Sequence, residues 1–476
     1  MPGALFALSV ATWRAQGGSL KTMKNNGFGF SFNIGDNDDD RNQNNPMGGL
    51  GDMLNQFGQM LSGMGSTMNS PEGQGAVNYA LAERIARQQL GKVAPISSSD
   101  ERAVEESIAL AELWLDDATI LPASGNKVQA WNATDWLEQS LPMWKRLVTP
   151  VAEQMNQAQL DSMPEEAREM VGPMLQVMNQ MSSMNFGMQL GNALGDLATQ
   201  TIAGSDFALP VAPAGTTAVL PKNLSALTSA LGQKPQDVMV YLSAREAARQ
   251  RLFRHVPWLV EQIVTSVEEY AAGLSIDTSH IEETVRELNL DSGDPAAIQD
   301  AMAQLQGMDL SPRITSINQV ATARLETLLA LIEGWVDHVT ATALSERMPA
   351  AGALAEAWRR RRVTGGSADK VLSQVVSIDI AAPNVSQAAE LWRRVDVAVG
   401  TERRDHIWDH PDLLPEAKDL ESSAEFIDGL LGDDFDPIAE INELEKLLEQ
   451  EGQKDQDSKS TEDSKDPEDK DDPQAN

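Results

Sequence analysis

The stretch Tyr241–His255, YLSAREAARQRLFRH, carries two arginines where a helix should be apolar. Val238, Tyr241, Leu242, Leu252 and Phe253 recur at helical spacing, and Arg245 and Arg249 fall on the same stripe. Both are therefore expected to face inward. Asp237 is placed to cap the start of this helix, and Glu246, three residues before Arg249, is within natural reach of an ion pair with it. The plainest expectation is a partly buried salt bridge whose aliphatic stems pack while the charged heads snorkel toward water.

Outward from that helix, the chain reads as mainly α with minor β. NYALAERIARQQL has helical spacing at Tyr79, Leu81, Ile85, Ala86 and Leu90, and SSSDERAVEESIALAELWLDDATIL opens with capping residues before a second amphipathic run. Trp131, Trp136 and Trp144 mark a third helical stretch and read as core. Gly187, Gly191 and Gly195 lie four apart in FGMQLGNALGDLATQTIAG, a spacing that lets two helices approach closely. Gln189, Asn192 and Asp196 make the segment too polar for a membrane pair. Only ALPVAPAGTTAVLP (208–221) and VLSQVVSIDIAAP (371–383) look extended.

Residues 1–70 are rich in Gly, Asn, Asp and Met and are expected to be disordered, with Met23 a plausible alternative start to Met1. ALFALSVATW is apolar but lacks the basic flank of a signal peptide. Residues 71–428 are expected to form the helical domain, and 429–476 a short amphipathic helix, INELEKLLEQEGQ, followed by a disordered acidic tail.

Charge and cysteine content exclude whole classes. The formal net charge is -34. Residues 401–476 hold 26 acids and 8 bases, so -18 of that charge lies in the last 76 residues and the body is only mildly acidic. No Lys/Arg excess exists to bind nucleic acid or an anionic membrane surface, and no run reaches the ~20 apolar residues of a membrane helix. With Cys 0, disulfides, thiolate catalysis and cysteine zinc sites are all absent, which suits a cytoplasmic protein. A protein partner is the remaining expectation.

The segment VYLSAREAARQRLFRHVPWLVEQIVTSVEEYAAG resembles the central helix pair of an actinobacterial family of zinc-dependent metalloproteases and hydrolases with a zincin-like core. Further segments resemble the family in order: ELWLDDATILPA, DWLEQSLPMWKRLVTPVAE, QLGNALGDLATQTIAGSDFALP, ARLETLLALIEGWVDHV and HPDLLPEAKDL. The likeness runs over roughly residues 74–428. It implies a zincin-like multi-helical domain and, in active members, the motif HExxH, whose two histidines bind zinc while the glutamate works on a water.

Carried onto this chain, the motif reads REAAR: Arg245 and Arg249 stand on the metal-ligand positions and Glu246 on the general-base position. Arginine has no lone pair to give and stays protonated, so neither position can ligate a cation. For a third ligand the candidates are Glu333, the ionisable residue inside the apolar run TLLALIEGWV, and, less well placed, Glu269, twenty residues after Arg249 on a polar face. A carboxylate buried at Glu333 needs a cation, either Arg245 and Arg249 or another base such as Arg324.

No metal or cofactor is expected on this reading, and the chain is expected to be a non-catalytic scaffold or interaction protein. The alternative is an active zinc-dependent peptidase or hydrolase with other ligands. His406 and His410 in HIWDHP have metal-like spacing but lie at a helix end beside Pro411, where capping or packing is the simpler role. His255, His280 and His338 are isolated, no G-x-S-x-G is present, and the AWRRRRVTGG patch reads as a solvated basic face or a dock for the chain's own acidic tail.

Overall fold

A computed structural model describes residues 75–125, 127–161, 175–206, 208–231, 233–277, 313–364 and 382–432. The described residues of Asp52–Ser275 and Ser316–Asn476 form one compact unit, and Ile276, Asp277 and residues 313–315 belong to a second. Expectations for 1–70, for 433–476 and for the extended run at 371–381 fall outside the described residues. Ala382 and Pro383, the end of that run, open a helix instead, where a proline is tolerated because its missing N–H has no partner to lose.

The first helix, α1 (Tyr79–Leu90), is capped by the Asn78 side chain, which accepts from the Leu81 amide. A reciprocal capping box between Ser97 and Asp100 starts α2 (Ser98–Leu115). Strand β1 (Lys127–Ala130) leads to α3 (Ala133–Asp161), and α4 (Leu175–Gln200) leads back to β2 (Thr216–Val219). β1 and β2 pair in parallel, Lys127 opposite Thr216 and Ala130 opposite Val219, with α3 and α4 in the long crossover a parallel pair requires.

After α5 (Pro221–Leu231) come α6 (Pro235–His255) and α7 (Leu259–Ala272), then the paired strands β3 (Leu274–Asp277) and β4 (Arg313–Ser316). α8 (Gln319–Leu344), α9 (Ala351–Thr364) and α10 (Ala382–His406) complete the large helices, with two 3-10 turns, α11 (Ala417–Glu421) and α12 (Ala424–Leu431) closing the described chain. The fold is mainly α with minor β, as the sequence patterning predicts.

Small residues decide one helix contact. α1 packs on α4, and a Cβ built at Gly187 would meet Asn78 O at 2.5 Å, one at Gly191 would meet Ala82 O at 2.6 Å. The four-residue glycine spacing is thus a groove for a neighbouring helix. Trp136 and Trp144 are fully buried in α3, and Trp408 stacks between Trp258 and Trp392 with ring centroids 6.4 and 5.4 Å away.

The site rests on α6, which packs against α2, α8 and β2 and is covered almost all round. Its start differs from the sequence expectation. Pro235 occupies the first turn, Lys234 is the N-cap with no side-chain bond, and Asp237 lies inside the first turn rather than capping it. An acid there still favours the positive end of the helix dipole.

Candidate functional site

Arg245, Glu246 and Arg249 are buried to 2%, 0% and 1% exposure. No charged head reaches water. The snorkelling expected from the sequence therefore does not occur, because α8 and α9 cover the helix face from which the side chains would emerge. A fully desolvated guanidinium survives only if carboxylates surround it, and they do.

Glu333 on α8 is the centre of the network. Its Oε1 accepts from Arg249 Nε at 2.7 Å and from the Ala208 amide at 2.9 Å. Its Oε2 accepts from Arg245 Nη2 at 2.9 Å, and Arg362 Nη1 of α9 stands 3.6 Å from the same oxygen. Arg249 also donates through Nη1 to Glu246 Oε2 at 2.8 Å, and Arg245 donates through Nη1 to Asp337. Helical geometry explains the match: Arg245 and Arg249 are one turn apart on α6, Glu333 and Asp337 one turn apart on α8, and the two rows interdigitate.

The remaining oxygen of Glu246 is equally occupied. Oε1 accepts from the Ser205 amide and from Gln250 Nε2, both at 3.0 Å, and Gln250 also donates to Ser205 Oγ at 2.8 Å. Ala208, whose amide serves Glu333, holds φ at 62°, the left-handed region an alanine rarely adopts. Ser205 and Ala208 thus place two backbone donors on two buried carboxylates.

Charge balance sets the protonation states. Burial pushes the Glu333 carboxyl up, but Arg249, Arg245 and Arg362 outweigh it and hold it below the usual carboxylate range. For Glu246 burial wins over Arg249, and with the Asp206 charge adding, the group is pushed up to about 7. Burial likewise works against Arg245 and Arg249, yet their carboxylate partners hold both above the ordinary arginine value. Arg245 Nε has no hydrogen-bond partner, and its guanidinium lies over the Trp358 ring at 5.5 Å from the centroid.

The structure thus brings together Arg245, Glu246, Arg249 and Glu333, and leaves Glu269 out. Glu269 is exposed and pairs with Arg324 at 3.1 Å, so Arg324 is not the partner of Glu333. Asp337 and Arg362 are members that sequence reasoning missed. Asp337 stands one turn after Glu333, a spacing that could have flagged it. Arg362 is the buried member of a run in which Arg359 and Arg360 pair with Glu356, so the basic patch is not wholly a solvated face.

The histidines lie elsewhere. His410 Nδ1 accepts from the Asp412 amide at 3.2 Å and caps a 3-10 turn, and His406 Nδ1 lies 2.7 Å from Asp409. His338 pairs with Asp396 at 3.1 Å, and His255 approaches Ala123 O at 3.3 Å. His280 is outside the described residues. A third buried arginine of α6, Arg251, is held by Glu112, Asp116 and the Leu121 carbonyl of the α2 region.

A family described as zincin-like metallopeptidases matches residues 77–427, and the chain belongs to that family. A solved structure from Chloroflexus aurantiacus, titled a "putative hydrolase with a novel fold", superposes with a TM-score of 0.50 at 17% identity, covering 74% of this chain and 98% of that one. It shares the fold. No curated protein matches the sequence.

The family implies zinc, and the residues of this cluster do not fit it. Guanidinium groups have no lone pair, and every oxygen of Glu246 and Glu333 already faces a donor or a cation. Among the described residues no group of three or more His, Cys, Asp or Glu is placed to hold a metal, and no helix is long and apolar enough to cross a membrane.

Proposed function

We propose that the chain is a non-catalytic scaffold or interaction protein built on the zincin-like metallopeptidase fold. In this reading Arg245 and Arg249 occupy the positions of the two metal-ligating histidines, Glu246 that of the general base, and Glu333 that of a third ligand. Two single positive charges stand where one divalent ion would otherwise hold the two helices together.

The observation that supports it is the bridging of Glu333 by Arg249 at 2.7 Å and Arg245 at 2.9 Å, all three side chains buried. A zinc site would present these carboxylate oxygens to a metal and leave an open position for water. Here they face guanidinium groups that cannot leave without exposing a buried charge. The acidic, cysteine-free composition accords with a cytoplasmic protein that binds another protein rather than nucleic acid or lipid.

The test is elemental analysis of the purified full chain with peptide and ester hydrolysis assayed before and after chelation. The proposal expects sub-stoichiometric zinc, no hydrolysis above buffer and an unchanged fold in chelator. Stoichiometric zinc with chelator-sensitive hydrolysis would replace it with an active zinc-dependent hydrolase that takes its ligands from outside this cluster.

A further inference from the structure

The N-terminal half of α4 carries an apolar face that the described chain leaves uncovered. Val177, Met181 and Met188 are 50%, 44% and 43% exposed, with half-buried Met184 between them. Their i, i+4, i+7, i+11 spacing makes one continuous stripe about 16 Å long at 1.5 Å per residue. Methionine stripes of this kind adapt to an apolar partner surface.

The course of α1 indicates what reaches it. Asn78 lies against Gly187, Ala82 against Gly191 and Gln89 against Gly195, so α1 and α4 advance in the same direction. The Asn78 amide donates to Ser183 O at 3.0 Å, which fixes the point of entry. Asn78 therefore enters beside Ser183 and Gly187, next to the exposed half of α4.

The preceding sequence has a matching pattern. MLNQFGQMLSGM, residues 53–64, contains no charged side chain and repeats Met53, Phe57, Met60 and Met64 at the same i, i+4, i+7, i+11 spacing. The thirteen residues 65–77 that join it to α1 reach up to about 40 Å when extended, more than the stripe requires. Its glycines and short length make it too weak to hold a helix alone, so its apolar side chains need an external surface.

We infer that residues 53–64 dock as an amphipathic segment on the Val177–Met181–Met184–Met188 face of α4, so that the N-terminal segment is an intramolecular cover for this surface. The experiment is hydrogen–deuterium exchange of the full chain at two protein concentrations, with the Met181→Asp/Met188→Asp variant alongside. Amides of 53–64 should exchange at least about tenfold more slowly than those of the acidic tail at both concentrations, and the variant should abolish that protection.

Exchange of 53–64 at the tail's rate in the wild type would overturn the inference. So would protection that the variant leaves intact. Protection that appears only at the higher concentration, together with a dimer mass, would assign the face to a second copy instead. Should the variant fail to fold, truncation of residues 1–64 decides: amides of 177–188 should then exchange faster, and an unchanged rate would contradict docking.

Discussion

Arg249 donates through Nε to Glu333 Oε1 at 2.7 Å across the contact between α6 and α8, with the two side chains 1% and 2% exposed. Neither partner can be solvated if the other is removed. Most ion pairs on a protein surface contribute little, whereas this one is defined by what its loss would strand.

Truncation of Arg249 should therefore be severe. Arg249→Ala leaves Glu246 and Glu333 short of a donor each and should cost about 3 to 5 kcal/mol in urea unfolding. Arg249→Lys keeps the charge but cannot serve both carboxylates in fixed geometry, so it should fall between wild type and Ala. Arg324→Ala, which removes an exposed partner of Glu269, is the control and should change stability by less than about 0.5 kcal/mol. An Arg249→Ala loss as small as the control's would contradict the buried network.

Glu246 makes stability depend on pH in a defined direction. Its folded-state value is raised from 4.5 to about 7, so the folded chain holds this proton more tightly than the unfolded chain. That contribution is complete below about pH 4.5 and is lost as pH rises to about 7, by roughly 3 kcal/mol at most. Glu333, held below its ordinary value, acts oppositely: its contribution is present above about pH 4.5 and is lost on further acidification. Unfolding free energies of wild type and Glu246→Gln, measured from pH 4.5 to 8, should differ in slope, the wild type declining relative to the variant. Parallel curves would refute the assignment.

The helical pattern of α6 is legible because an arginine on an apolar stripe must either be buried against an acid or break the packing, and the inward face of Arg245 and Arg249 follows from spacing alone. Glu333 stands out for the same reason. What stays hidden depends on long-range geometry. Nothing in a run of four arginines distinguishes Arg362, the buried one, and the Ser205 and Ala208 amides have no side-chain signature at all. Local pattern also predicts snorkelling, and only the packing of α8 and α9 over the helix reverses it.

The glycine groove on α4 gives an independent check on packing. Gly191→Ala would place a methyl carbon 2.6 Å from the Ala82 carbonyl, a backbone atom that can move only with its helix. The expected cost is about 1 to 3 kcal/mol, read as a lower thermal midpoint. Gly352→Ala, at a helical site with open space around it, should be neutral or slightly stabilising.

Whether two arginines stand in the place of one metal ion is decided by putting histidines back at both positions. Zinc is titrated into folded wild type, Arg245→His/Arg249→His, and the same double variant carrying Glu333→Ala. Wild type should bind none, the double variant about one zinc per chain, and the variant without Glu333 much more weakly. A double variant that folds yet binds zinc no more tightly than wild type would contradict it, leaving REAAR as a salt-bridged helix with no relation to a metal site.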